Sequence, residues 1–166
     1  MGIKKVLVPT DFSVNSLELV RKALEGSSTE SLEVVLLHGT YLSNSITDLL
    51  FFSKSKLIQK LQTKEFVEAC TVLRNKYPSK IHALYVDVIT SNSNAYFKNY
   101  VDASQIEEII VPHNGFLNFK KVGGINTLPL FKTCDVPCTY VSLSEGIDAQ
   151  AIEKQQLANV FFSGLK

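Results

Sequence analysis

The stretch VPHNGFLNFKKVGGINTLP, residues 111–129, carries the residue types of an anion cradle. It runs from the apolar segment Ile109-Ile110-Val111 toward a helix start, and it holds Gly115, Gly123, Gly124, Lys120 and Lys121. Glycines let backbone amides turn toward a common point, and a helix amino terminus adds positive potential. The same residues support a plainer reading: a tight turn at the glycine pair, with the lysines in solvent. Other chemistry is thinner. Cys70, Cys134 and Cys138 form no CxxC, and His38, His82 and His113 have no HExxH spacing, so no zinc site is expected. Cys134 and Cys138 admit a redox pair or half of a metal site; the simpler reading is two small hydrophobes near a helix end and a strand. There is no Walker loop, no paired carboxylates on a common face and no Ser–His–Asp arrangement that sequence can assemble.

The elements that must position these residues are legible from hydrophobic periodicity. Five segments read as strands, at 4–10, 32–39, 81–88, 107–113 and 137–143, several of them continuous apolar runs suited to burial on both faces. Helical spacing follows Ser13, a credible N-cap, through Val14, Leu17, Val20 and Leu24. A long helical stretch is expected from Ile46 to Tyr77 with Pro78 at its end, a shorter one over 91–104, and a fourth over 126–135 capped by Thr127. Pro129 is tolerated in the first turn of that fourth helix.

Strands alternating with helices give a parallel α/β sheet covered on both faces. Ligands bind such sheets beyond the carboxyl ends of the strands, where strand order reverses. That rule selects Pro9, Thr10, Asp11 and Phe12 after the first strand, His38 and Gly39 after the second, and Pro112, His113, Asn114 and Gly115 after the fourth. Residues 144–166 read as a C-terminal extension with helical spacing, separate from a domain spanning 1–143.

Bulk properties bound the partners. The chain has 166 residues, 45% hydrophobic and 20% charged, with a net charge of +1, so nothing in its charge points to nucleic acid or an anionic membrane. No apolar run approaches the roughly 18 residues of a membrane span, and the first residues lack the pattern of a secretory signal. Gly2 begins a myristoylation pattern that Val6 breaks. Three cysteines cannot all pair within one chain, which fits reduced thiols and a cytoplasmic protein.

The segments KKVLVPTDFSVNS, VVLLHG, IEEIIVPHNG and GGINTLPLFKTCDVPCTYVSL, in this order, resemble the universal stress protein family over residues 3–143. The resemblance implies a Rossmann-like five-stranded parallel sheet, strand order 3-2-1-4-5, with helices on both faces. It also implies a homodimer formed through the last strand, residues 138–143. Many members bind ATP or another adenine nucleotide through the loop pattern Gly-x2-Gly-x9-Gly-Ser/Thr.

Carried onto this chain, the pattern places Pro112 at the first glycine, Gly115 at the second and Gly124 at the third, with Ile125 where a Ser or Thr hydroxyl belongs and Asn126 beside it. Pro112 removes an amide donor and Ile125 removes a hydroxyl. Each lost hydrogen bond to a phosphate is worth about 1.5–3 kcal/mol. Asp11 reads as an acceptor for a ribose or base edge, or as part of a helix cap beside Ser13.

Three functions stay open. One is a stress-type binding or signalling module with a degenerate nucleotide site, acting through dimerisation and a partner or small ligand. The second is an ATP-binding regulatory switch with an atypical glycine loop. The third, an enzyme such as a nucleotide hydrolase, has the least support. The expected nucleotide-binding set is Pro9, Thr10, Asp11, Gly39, Val111, Pro112, Gly115, Gly124, Ile125 and Asn126, with the cofactor undetermined and no metal.

Overall fold

Alternation along the central strands sends successive side chains to opposite layers, and this builds two cores. The computed structural model describes residues 2–27, 31–42, 45, 50, 52–113 and 117–142. Its strands are β1 (Ile3–Pro9), β2 (Ser31–Thr40), β3 (Ile81–Ile89), β4 (Glu108–Pro112), β5 (Gly124–Ile125) and β6 (Cys138–Val141). The path β3-β2-β1-β4-β6 is parallel throughout. With β6 as the fifth long strand, this is the expected order 3-2-1-4-5. The sheet also has a member that periodicity did not announce: β5 pairs antiparallel with the end of β2.

Val6, Val8, Val34, Leu36 and Ile110 face one layer, where α1 (Glu18–Gly26) and α3 (Lys64–Lys76) deliver Leu24, Phe66 and Leu73. Leu7, Val35, Leu37, Ile109 and Val111 face the other, under α4 (Asn94–Ser104) and α5 (Leu128–Phe131), which supply Phe97, Val101 and Phe131. Both faces of β1 are thus sealed, as its unbroken apolar run requires.

Helix starts follow side-chain caps. Ser13, Ser53, Thr63 and Ser93 each accept the amide three residues on, which satisfies a donor that the first turn leaves without a partner. Thr63 explains one departure from expectation. The single helix expected over 46–77 is two helices, α2 (Lys54–Leu61) and α3, because the Gln62 amide closes the first on Ile58 and the Thr63 hydroxyl opens the second. Residues 46–49 lie outside the described residues. The helix expected over 126–135 is a single turn, Leu128–Phe131, after which the chain bends toward β6. The expected 144–166 extension also lies outside the described residues. Among those described, no helix is long and apolar enough to cross a membrane.

Candidate cleft at the carboxyl ends of the strands

The turn after β1 is organised by Asp11, which is 8% exposed. Its Oδ1 accepts the Ser13 amide at 3.0 Å and the Ser13 hydroxyl at 2.5 Å, and its Oδ2 accepts the Asn118 amide at 2.8 Å. The Ser13 hydroxyl oxygen in turn caps the Ser16 amide at 3.1 Å, so Ser13 is the N-cap and Asp11 supports it. Beside it the fully buried Thr10 shares a hydrogen bond with Ser16 (2.8 Å) and accepts the Phe12 amide at 3.1 Å. Phe12 has φ of 63°, a left-handed conformation unusual for a bulky residue. Its cost, of order 1–3 kcal/mol, is offset by burying the ring 4.7 Å from His38 and 5.5 Å from Phe66.

His38 ends the apolar run of β2 and is wholly buried. Its Nδ1 lies 3.1 Å from the Thr10 carbonyl, which fixes the proton on Nδ1 and makes Nε2 an acceptor. Burial holds the imidazole below the ordinary histidine pKa, against the opposing pull of the Thr10 carbonyl and the Asp11 carboxylate. Nε2 and the buried Thr127 Oγ1 have no hydrogen-bond partner among the described residues.

The loop after β4 returns over this turn. Asn118 delivers its amide to Asp11, and Phe119, 6% exposed, brings its ring within 6.5 Å of His38. Gly123, at φ 65°, turns the chain so that β5 lies along β2, Ile125 opposite Gly39 and Gly124 opposite Thr40. Contact restricts both glycines, Gly124 the more severely. A Cβ on Gly39 would stand 3.0 Å from the Ile125 Cβ, and one on Gly124 would stand 2.6 Å from His38 Cε1.

These contacts settle several expectations about the loop. The glycine pair forms a tight turn and a strand pairing, not a nest of amides around an open pocket. Ile125, at the expected hydroxyl position, is 3% exposed and plugs the end of β2. Thr127 sits at the N-cap of α5 but makes no side-chain cap; Asn126 Oδ1 accepts the Leu128 amide at 3.1 Å instead. A one-turn helix offers little dipole to an anion. Lys120 is exposed, and Gly115 lies outside the described residues.

The expected set therefore divides. Pro9, Thr10, Asp11, Gly39, Gly124 and Ile125 gather at the closed ends of β1 and β2. Val111, Pro112 and Asn126 line a separate open pocket of about 360 Å³ with His113, Lys132 and Tyr140. Phe119 was missed; one aromatic between Asn118 and Lys120 gives no periodic signal. Phe12 in a left-handed turn was also beyond reach, since that conformation favours glycine.

No protein-family model matches the chain, and no curated protein matches it in sequence. The fold is similar to that of several solved structures. They include universal stress protein UspA from Lactobacillus plantarum, with 11% identity over 83% of this chain and 97% of that one and a TM-score of 0.51. The hypothetical protein MJ0577 shares 22% identity over 86% of this chain and 98% of its own, also at 0.51. The hypothetical protein PH0823 shares 16% over 87% and 99%, at 0.50. The chain has the universal stress protein fold.

Two outcomes follow from the cleft. Gly124→Ala drives a methyl into an imidazole that cannot retreat, so it should cost about 1–3 kcal/mol. It should also speed hydrogen exchange at the amides of Asn118 and Ile125; unchanged exchange would show that β5 does not depend on this contact. Second, His38 is neutral when folded but takes up a proton when unfolded below its ordinary pKa of 6.5. The unfolded state then binds more protons, so stability should rise with pH toward about 6.5 and level off above it, by at most about 1.4 kcal/mol per pH unit. Glu33 and Glu108 are held below the ordinary carboxylate value of 4.5 and so add their own rise in stability, centred at lower pH. Urea titrations of His38→Asn should lose the part of the slope that lies just below pH 6.5.

Proposed function

We propose that this chain is a universal stress-type binding module of the cytoplasm whose nucleotide cleft is closed by its own loop, and that it works as a homodimer through a protein partner or small ligand, without catalysis. The observation carrying this reading is the occupancy of Asp11: both carboxylate oxygens are held by Ser13 and Asn118, while Phe119 and Ile125 fill the space beyond. A carboxylate so engaged is poorly placed as a base or as a partner for ribose. The open pocket lined by Pro112, His113, Lys132 and Tyr140 is where a small ligand would enter. Three unpaired cysteines favour a reducing compartment.

A second reading, the regulatory switch, draws on one observation. His38 Nε2 and Thr127 Oγ1 are two polar atoms buried without partners among the described residues, His38 against Phe119 and Gly124 and Thr127 beside Gly39. A ligand that lifted the loop would meet both.

Thermal unfolding with millimolar ATP and magnesium, and with ADP and AMP, separates the two. A ligand at a hundred times its dissociation constant adds about 2.7 kcal/mol, a shift of several degrees for a domain of this size. No shift is expected. A clear rise with ATP would overturn the closed-cleft reading; a rise confined to Gly124→Ala would mean that the cleft is competent and merely covered.

The dimer has its own test. Ile109 donates to the Pro137 carbonyl and His113 to the Val141 carbonyl, so residues 137, 139 and 141 face β4. By strand alternation the amides of Cys138 and Tyr140 face away from it, along an edge that no described strand covers. Tyr140→Pro removes one outward donor and should convert a dimer to a monomer in sedimentation velocity while leaving the fold intact. A monomeric wild-type chain would end the proposal of pairing at this edge.

A further inference from the structure

Between α5 and β6 the chain brings two thiols to one acceptor. Cys134 Sγ lies 3.3 Å from the Phe131 carbonyl oxygen, and Cys138 Sγ lies 3.6 Å from the same oxygen. The sulfurs can be no further apart than those two lengths laid end to end. The acceptor itself is anchored: the Phe131 ring is 1% exposed and packs 5.5 Å from Phe97. Cys138 is fixed from the other side, because it opens β6 and the preceding Pro137 carbonyl accepts the Ile109 amide at 3.0 Å. Both cysteines are only half-buried, so a small oxidant reaches them.

We propose that Cys134 and Cys138 form a peroxide-responsive dithiol that closes to an intramolecular disulfide. The chemistry balances with a hydroperoxide as the oxidant. The Cys134 sulfur attacks the peroxide, breaks the O–O bond and becomes a sulfenic acid, releasing water or an alcohol. The Cys138 thiol then attacks that sulfur, the S–S bond forms, and the sulfenic hydroxyl leaves as water with the thiol proton. Burial and the neighbouring Cys134 push the Cys138 thiol up, which keeps it protonated and disfavours it as the sulfur that meets the peroxide first. Bond formation requires both side chains to turn off the Phe131 carbonyl toward each other. Cys70 takes no part: it is 5% exposed in the other core layer, and burial pushes its thiol up to about 11. This inference does not depend on whether the cleft holds a nucleotide.

The test uses the full chain, reduced and then treated with hydrogen peroxide under native conditions. Titratable thiols, counted after denaturation, should fall from the three free cysteines to one. The intact mass should drop by two hydrogens, and peptide mapping should join Cys134 to Cys138. Cys138→Ser should halt at a sulfenic acid on Cys134 that dimedone traps, and Cys134→Ser should keep its remaining thiols. Loss of no thiol, a bond between two chains, or a bond to Cys70 would each overturn the proposal. The wild-type mapping decides the matter even if a serine variant folds poorly.

Discussion

The arrangement rests on one requirement, that the Asp11 carboxylate, set at the buried end of β1, must find hydrogen-bond donors. A carboxylate removed from water costs several kcal/mol unless it is satisfied. Ser13 supplies two donors within the same turn, and the third comes from Asn118, over a hundred residues away in sequence. That single long-range hydrogen bond draws the loop after β4 across the carboxyl ends of β1 and β2. With Asn118 held there, Phe119 lies against His38 and Gly123 turns the chain toward Gly39.

His38 shows how the same constraint propagates. Its Nδ1 is committed to the Thr10 carbonyl, so the ring cannot rotate to relieve crowding. That rigidity makes Gly124 obligatory, since any side chain there meets His38 Cε1. Gly39 performs the matching role across the pairing, leaving room for Ile125 and Thr127. Two glycines far apart in the chain are thus two sides of one contact. The strained Phe12 belongs to the same unit: its left-handed turn lays the ring between His38 and Phe66, joining the cleft floor to α3.

Much of this was legible beforehand, and the parts that were not share a cause. The long strands declared themselves because burial on both faces leaves apolar runs that nothing else explains, and Ser13 declared its helix by chemistry that acts within three residues. The loop was legible in composition only. Gly123 and Gly124 are compatible with an amide nest or with a tight turn, and what decides between them is Asn118 reaching Asp11, a contact with no local signature. The two-residue β5 is too short for alternation to register. Thr127 was read as a cap from its position, yet the backbone already turns on Asn126, so its hydroxyl is left buried. The division of the long helix at Thr63 was readable in retrospect, since a threonine three residues before Phe66 is itself a cap signal.

Magnitudes favour a closed cleft over an open one. A nucleotide entering between β1 and the loop would first have to separate Asn118 from Asp11, a charged hydrogen bond worth about 1.5–3 kcal/mol. It would then return Phe119 and Ile125 to water, at about 1.5–3 kcal/mol for each side chain. Together these costs are about 5–9 kcal/mol. Micromolar affinity corresponds to about 8 kcal/mol of binding free energy, so most of an ordinary nucleotide's binding would go to opening the loop. Contacts that would offset the cost are diminished in this chain, since Pro112 has no amide to donate and Ile125 no hydroxyl. A ligand able to open the cleft would need to replace the Asn118 amide at Asp11 and also satisfy His38 Nε2, an acceptor that the fold leaves without a donor among the described residues. A compact hydrogen-bond donor meets that demand better than a triphosphate, whose oxygens are acceptors and would face the Asp11 carboxylate with like charge.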